Sequence, residues 1–116
     1  LNDITSALSK PCIIDIKMGC RQWASDAHPS KIASKQRKTL ESTSRNLFFR
    51  VCGMKVYNCT TGDSLSLHKQ TTSKFTKAQM QSVLAGFFDN GEGLRIDALK
   101  RILAKLRGLL NVLETQ

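Results

Sequence analysis

Aromatic residues make up only 6% of this 116-residue chain, and Trp23 and Tyr57 stand isolated in it. That scarcity argues against an RNA-binding strand, which stacks bases on rings interleaved with cationic side chains. Cysteine occurs at Cys12, Cys20, Cys52 and Cys59 only, with no C-x-x-C pair, so neither a disulfide scaffold nor a structural zinc site is indicated. We read the four as reduced thiols and expect an intracellular protein, cytoplasmic, nuclear or both. No apolar run approaches the roughly 18 residues of a membrane span, and Leu1 to Thr5 lack the regions of a signal peptide, so no membrane partner is expected. The chain opens without methionine, as a processed product or a piece of a longer protein would. No repeat, low-complexity tract or linker divides it. With 41% hydrophobic residues the chain supplies one modest core, so residues 1–116 are expected to form a single α+β unit and a monomer.

Acidic residues are also few, 9 against 18 Lys and Arg, for a net charge of +9. The excess is uneven. Residues 1–19 are neutral, whereas residues 20–46 carry Arg21, Lys31, Lys35, Arg37, Lys38 and Arg45 against only Asp26 and Glu41. A polyanion is the natural partner for such a balance, and charge alone does not separate nucleic acid, acidic lipid and a phosphorylated small molecule.

Pro11 to Gly19 reads as a strand, with Cys12, Ile14, Ile16 and Met18 on an apolar face and Ile13, Asp15 and Lys17 on the other. A basic helix is expected from Lys31 to about Ser42, with little of it buried because Ile32, Ala33 and Leu40 are its only apolar residues. Phe48–Tyr57 and Leu65–Lys69 form an antiparallel hairpin across residues 60–64, and Gly53 hints at a bulge or a close backbone approach. Two amphipathic helices follow. The first begins with a Thr76/Gln79 capping box and a Phe75/Met80 staple, and carries the stripe Met80, Val83, Leu84, Phe87 and Phe88. The second runs from about Leu94 to Thr115, with Leu99, Ile102, Leu103, Leu106, Leu109, Leu110 and Leu113 on one face. Both stripes are expected to be core.

Asp15 and Lys17 are two apart on a strand, so they emerge on one face with Cα atoms about 6 to 7 Å apart. A carboxylate there can orient or deprotonate an attacking hydroxyl, and an ammonium can neutralise charge on a phosphoryl group in flight. A surface ion pair is the plainer reading of the same two residues.

Pro11-x-x-x-Asp15-x-Lys17-x-Gly19 matches the P-x-x-x-D-x-K-x-G signature of the inositol polyphosphate kinases. The runs Lys17 to Gln22, Arg37-Lys38 with Ser42 to Ser44, Arg50 to Tyr57, Asn90-Gly91 with Leu94-Arg95, and Lys105 to Leu109 with Val112 to Glu114 resemble the same family in the same order. Among its branches the chain most resembles the inositol hexakisphosphate kinases. The resemblance implies the central part of a two-lobed, kinase-like domain that transfers phosphate from ATP to an inositol polyphosphate. Asp15 and Lys17 would be its catalytic pair, with Lys17 also contacting substrate. Lys31, Lys35 and Lys38, at i, i+4 and i+7 with Ser34 beside them, would be the face of the inositol-phosphate-binding helix. Arg37, on the opposite side, is expected to be structural or solvated.

The family's nucleotide lobe is expected to precede the signature, and its Ser-Leu-Leu and Ile-Asp-Phe motifs, whose Ser and Asp hold magnesium, to follow the last helix. The main ligands of ATP and Mg2+ are therefore expected outside these residues, and the 116 residues alone are expected to be inactive. Ile96-Asp97-Ala98 and Ser64-Leu65-Ser66-Leu67 are look-alikes in the wrong context. Gln70 to Lys74 replaces a stretch where the hexakisphosphate kinases usually carry aromatic residues and a Gly-Arg pair, with Lys74 in position to substitute for the arginine. Two alternatives stand beside the kinase reading. One is a non-catalytic module binding inositol phosphates or nucleic acid. The other is a helical scaffold built on the Leu99 to Leu113 face, which requires that face to be exposed.

Overall fold

β-branched, aromatic and sulfur-bearing side chains crowd residues 49–57, and that segment becomes the central strand of the sheet. A computed structural model describes residues 2–115 of the chain. In chain order the elements are β1 (Ile13–Met18), α1 (Pro29–Leu40), α2 (Ser44–Leu47), β2 (Phe49–Tyr57), β3 (Ser64–Leu67), α3 (Lys69–Thr72), α4 (Lys77–Phe88) and α5 (Ile96–Glu114). The sheet is antiparallel in the order β1-β2-β3, which confirms the hairpin and makes β1 an edge. The short helices α2 and α3 were not expected.

The anticipated irregularity at Gly53 is a β-bulge. Asp15 pairs with Gly53 and Ile16 with Val51, so Cys52 is left without a partner on β1. At the hairpin tip, the Asn58 carboxamide oxygen accepts from the amides of Thr60 and Thr61 at 2.9 and 3.0 Å. Gly62 follows at φ 80°, and the Asn58 amide closes on the Asp63 carbonyl at 2.8 Å.

The core is small. Val51, Met54 and Val56 of β2 are buried with Met80 of α4, and Ile14, Leu47, Phe49, Leu67, Phe75, Val83, Leu84 and Phe87 pack around them. Of the expected α4 stripe Met80 is buried and Val83, Leu84 and Phe87 pack half-buried against the core, while Phe88 stands outside it. The capping box forms, with the Gln79 amide donating to Thr76 Oγ1 at 3.3 Å and the Thr76 amide donating to Gln79 Oε1 at 2.9 Å. α1 starts two residues earlier than expected, because Pro29 supplies a preset φ at its first position and the His28 ring accepts from the Ser30 amide. Only Thr39 of α1 is buried, as its composition implied.

Two expectations about burial fail. On β1 only Ile14 of the apolar face joins the core, while Cys12, Ile16 and Met18 are exposed, because α4 covers β2 and β1 is an edge. On α5 no residue is buried, and Ile102, Leu103, Leu106, Leu109, Leu110 and Leu113 are all exposed, Leu113 at 62%. The helix packs against α4 through its beginning, where Ala98 and Leu99 are half-buried, and then runs outward. Among the described residues the condition set for a helical scaffold is met.

Candidate functional site

Because side chains alternate along a strand, β1 brings Asp15 and Lys17 to one face of the sheet edge, where Lys17 Nζ lies 3.8 Å from Asp15 Oδ2. About half of each side chain stays open to solvent. Arg50 of β2 is the register partner of Lys17, so the two side chains leave the sheet on the same face.

Arg50 also borders a cavity. A hollow of about 370 Å³ opens between the last turn of α1, the bulged part of β2 and α3. Five cationic side chains border it, Arg37, Lys38, Arg50, Lys69 and Lys74, against the single carboxylate of Glu41. Arg50, Val51 and Cys52 all border the hollow, and the β-bulge leaves Cys52 without a partner on β1 at this point.

The electrostatics of Arg50 are unusual. Its side chain is buried, at 8% exposure, with Nη2 donating to Gln22 Oε1 at 2.6 Å and Nη1 to Ser44 Oγ at 3.4 Å. Both acceptors are neutral, and among the described residues no carboxylate pairs with it. A buried guanidinium without an anion is costly, and an anion in the adjoining hollow would offset that cost. The supporting shell is well tied. The Gln22 amide nitrogen donates to the Gly19 carbonyl, Thr39 Oγ1 to the Cys20 carbonyl, the Cys20 thiol to the Ser44 carbonyl and Thr43 Oγ1 to the Phe49 carbonyl. A second unpaired group lies on the same wall, since Thr72 is 2% exposed and its Oγ1 has no hydrogen-bond partner.

Of the residues expected to bind substrate, Lys38 alone borders the hollow. Ser34 and Lys35 are half-buried beside it on α1, Lys31 is exposed near the start of the helix, and Asp15 and Lys17 sit on the edge strand outside the lining. Arg37 is solvated as expected, with its side chain 70% exposed and reaching Glu41 at 4.0 Å one turn on, and it also borders the hollow. Sequence reading missed Arg50, Lys69, Thr72 and the role of Lys74 as lining residues. An arginine flanked by Phe49 and Val51 in a largely apolar strand was the available signal for Arg50.

Among the described residues no group of three or more His, Cys, Asp or Glu side chains could hold a metal ion. The described residues therefore offer no such cluster to Mg2+. Among the described residues no helix is long and apolar enough to cross a membrane.

The family model for inositol polyphosphate kinase matches residues 1–116. Inositol hexakisphosphate kinase 2 of Mus musculus and inositol hexakisphosphate kinase 1 of Homo sapiens are each 40% identical over all 116 residues, which cover 26% of either relative. Inositol hexakisphosphate kinase 3 of Homo sapiens is 38% identical, again over the whole chain and 28% of the relative. The chain therefore spans about a quarter of the length of these relatives. Two solved structures share the fold. One is an inositol phosphate multikinase with a TM-score of 0.71 and 22% identity, covering 77% of this chain and 42% of that one. The other is an inositol phosphate multikinase from S. cerevisiae in complex with ADP and Mn2+, with a TM-score of 0.67 and 26% identity over 76% of this chain and 40% of that one.

Proposed function

The chain belongs to the inositol polyphosphate kinase family, and from that premise we propose that it supplies the signature strand and substrate-binding elements of an ATP-dependent kinase acting on an inositol polyphosphate, of the hexakisphosphate kinase type. The observation that carries the reading is the basic hollow beside β1, with the buried and anion-free Arg50 in its wall. A ring bearing several phosphates can meet Lys38, Lys69 and Lys74 as point charges and Arg50 as a planar fork. Lys35 and Ser34 extend the same basic surface along α1, with Lys31 at its far end.

Asp15 and Lys17 carry the chemical step in this reading. The Asp15 carboxylate is placed to orient the attacking hydroxyl and accept its proton. The Lys17 ammonium, 3.8 Å away, neutralises charge on the transferred phosphoryl group. ATP and Mg2+ belong to the proposal, with their main ligands outside these residues. Residues 1–116 stand in it as a single central unit of the kinase domain, monomeric and located in the cytoplasm or nucleus.

The experiment is Lys17→Ala in the full-length protein, read by phosphoryl transfer from ATP to inositol hexakisphosphate. Loss of roughly 10²-fold or more in kcat, with the thermal transition retained, is expected for a group acting on transition-state charge. Near-normal turnover refutes the role. The rival reading, a non-catalytic polyanion module, is separated by titrating the chain with inositol hexakisphosphate and with single-stranded RNA at matched salt. Preference for RNA overturns the substrate assignment.

A further inference from the structure

We propose that Cys52 is a covalent modification site selective for small anionic electrophiles, which the basic hollow draws to its sulfur. Cys52 is the residue that the bulge leaves without a β1 partner, and it borders the hollow half-buried beside Arg50. None of the other three cysteines does. Cys20 is committed to the Ser44 carbonyl, while Cys12 and Cys59 lie exposed elsewhere, accepting from the Tyr57 amide and the Asn90 side chain. A concave wall of one charge sign raises the local concentration of anions, and five cations face one carboxylate here.

Thr72, 2% exposed and with an unpartnered Oγ1, borders the same hollow. In the reaction the Cys52 sulfur, as thiolate, attacks the electrophilic carbon; the S–C bond forms, the carbon–halide bond breaks, and halide and the thiol proton leave to solvent. With a carboxylate-bearing reagent the adduct leaves its negative charge among the cations and occupies space that a polyphosphate would fill. The inference rests on the anion-site reading of the hollow.

The test uses iodoacetate, which is anionic, and iodoacetamide, which is neutral, with the alkylation rate of each cysteine followed by peptide mass spectrometry. Cys12 and Cys59 serve as exposed references in the same molecule. The iodoacetate-to-iodoacetamide rate ratio at Cys52 is expected to exceed that at the references by at least about threefold, and to approach theirs in about 0.5 M salt. Lys69→Gln combined with Lys74→Gln, both at exposed positions, is expected to reduce the preference. An equal ratio at all three cysteines, or a preference indifferent to salt and to both substitutions, overturns the proposal. Inositol hexakisphosphate distinguishes the two readings. Protection of Cys52 alone supports both, whereas charge selectivity without protection supports the Cys52 site and overturns the hollow as a polyphosphate site.

Discussion

At Gly91 the backbone runs at φ 94°, and a Cβ there would collide with the Asn58 side chain and the Thr60 hydroxyl. Thr60 Oγ1 donates to the Gly91 carbonyl at 2.8 Å and the Cys59 amide to the Asn90 carbonyl at 2.7 Å, so the hairpin tip is clamped onto the α4–α5 connection. Gly93, at φ 101°, has open space where its Cβ would be. Gly91→Ala is therefore expected to lower stability by about 1–3 kcal/mol and Gly93→Ala by less, as read from denaturant midpoints. Thr76→Ala removes the side-chain cap of α4 and is expected to cost about 1 kcal/mol by the same measurement. The cap was legible in the sequence because its partners are three residues apart. The Gly91 clamp was not, because it joins positions 31 residues apart.

At the scale of elements, α4 and α5 carry comparable apolar stripes and meet opposite fates. Met80 of α4 is 2% exposed against β2, whereas Leu110 of α5 is 52% exposed. Met80→Ala is expected to destabilise by about 2–5 kcal/mol, and Leu110→Ala by less than about 1 kcal/mol, in thermal or denaturant unfolding. Equal costs would mean that the α5 face is covered in solution. Periodicity established that both segments are helices and which faces are apolar. It could not tell which face meets a partner, because that depends on where the Asp89 to Arg95 turn sends α5. The same holds for β1, whose alternation was clear and whose edge position was not.

The molecule as a whole exposes 8832 Å², where a self-contained protein of 12.9 kDa is expected to expose about 6300 Å². Its radius of gyration, 16.1 Å, likewise exceeds the roughly 13 Å of a compact chain of this length. Large apolar side chains stand exposed along α5, on β1 and at Phe48, among other positions. The isolated 116 residues are expected to bind a dye such as anilinonaphthalene sulfonate under native conditions, and paired Leu106→Gln and Leu110→Gln substitutions are expected to reduce the fluorescence without lowering the unfolding midpoint appreciably. Unchanged fluorescence would place the exposed patch elsewhere.

The sequence by itself determined the family, the position of the Asp15/Lys17 pair, the hairpin, the capping box and the basic character of α1. Each of these depends on spacings of a few residues or on a motif within one segment. Only the tertiary structure decided that Arg37 and Lys38, rather than the whole lysine face of α1, meet Arg50, Lys69 and Lys74 around one hollow. Those cations come from α1, β2 and the α3 region, segments far apart in the chain, and local periodicity carries no record of such long-range packing.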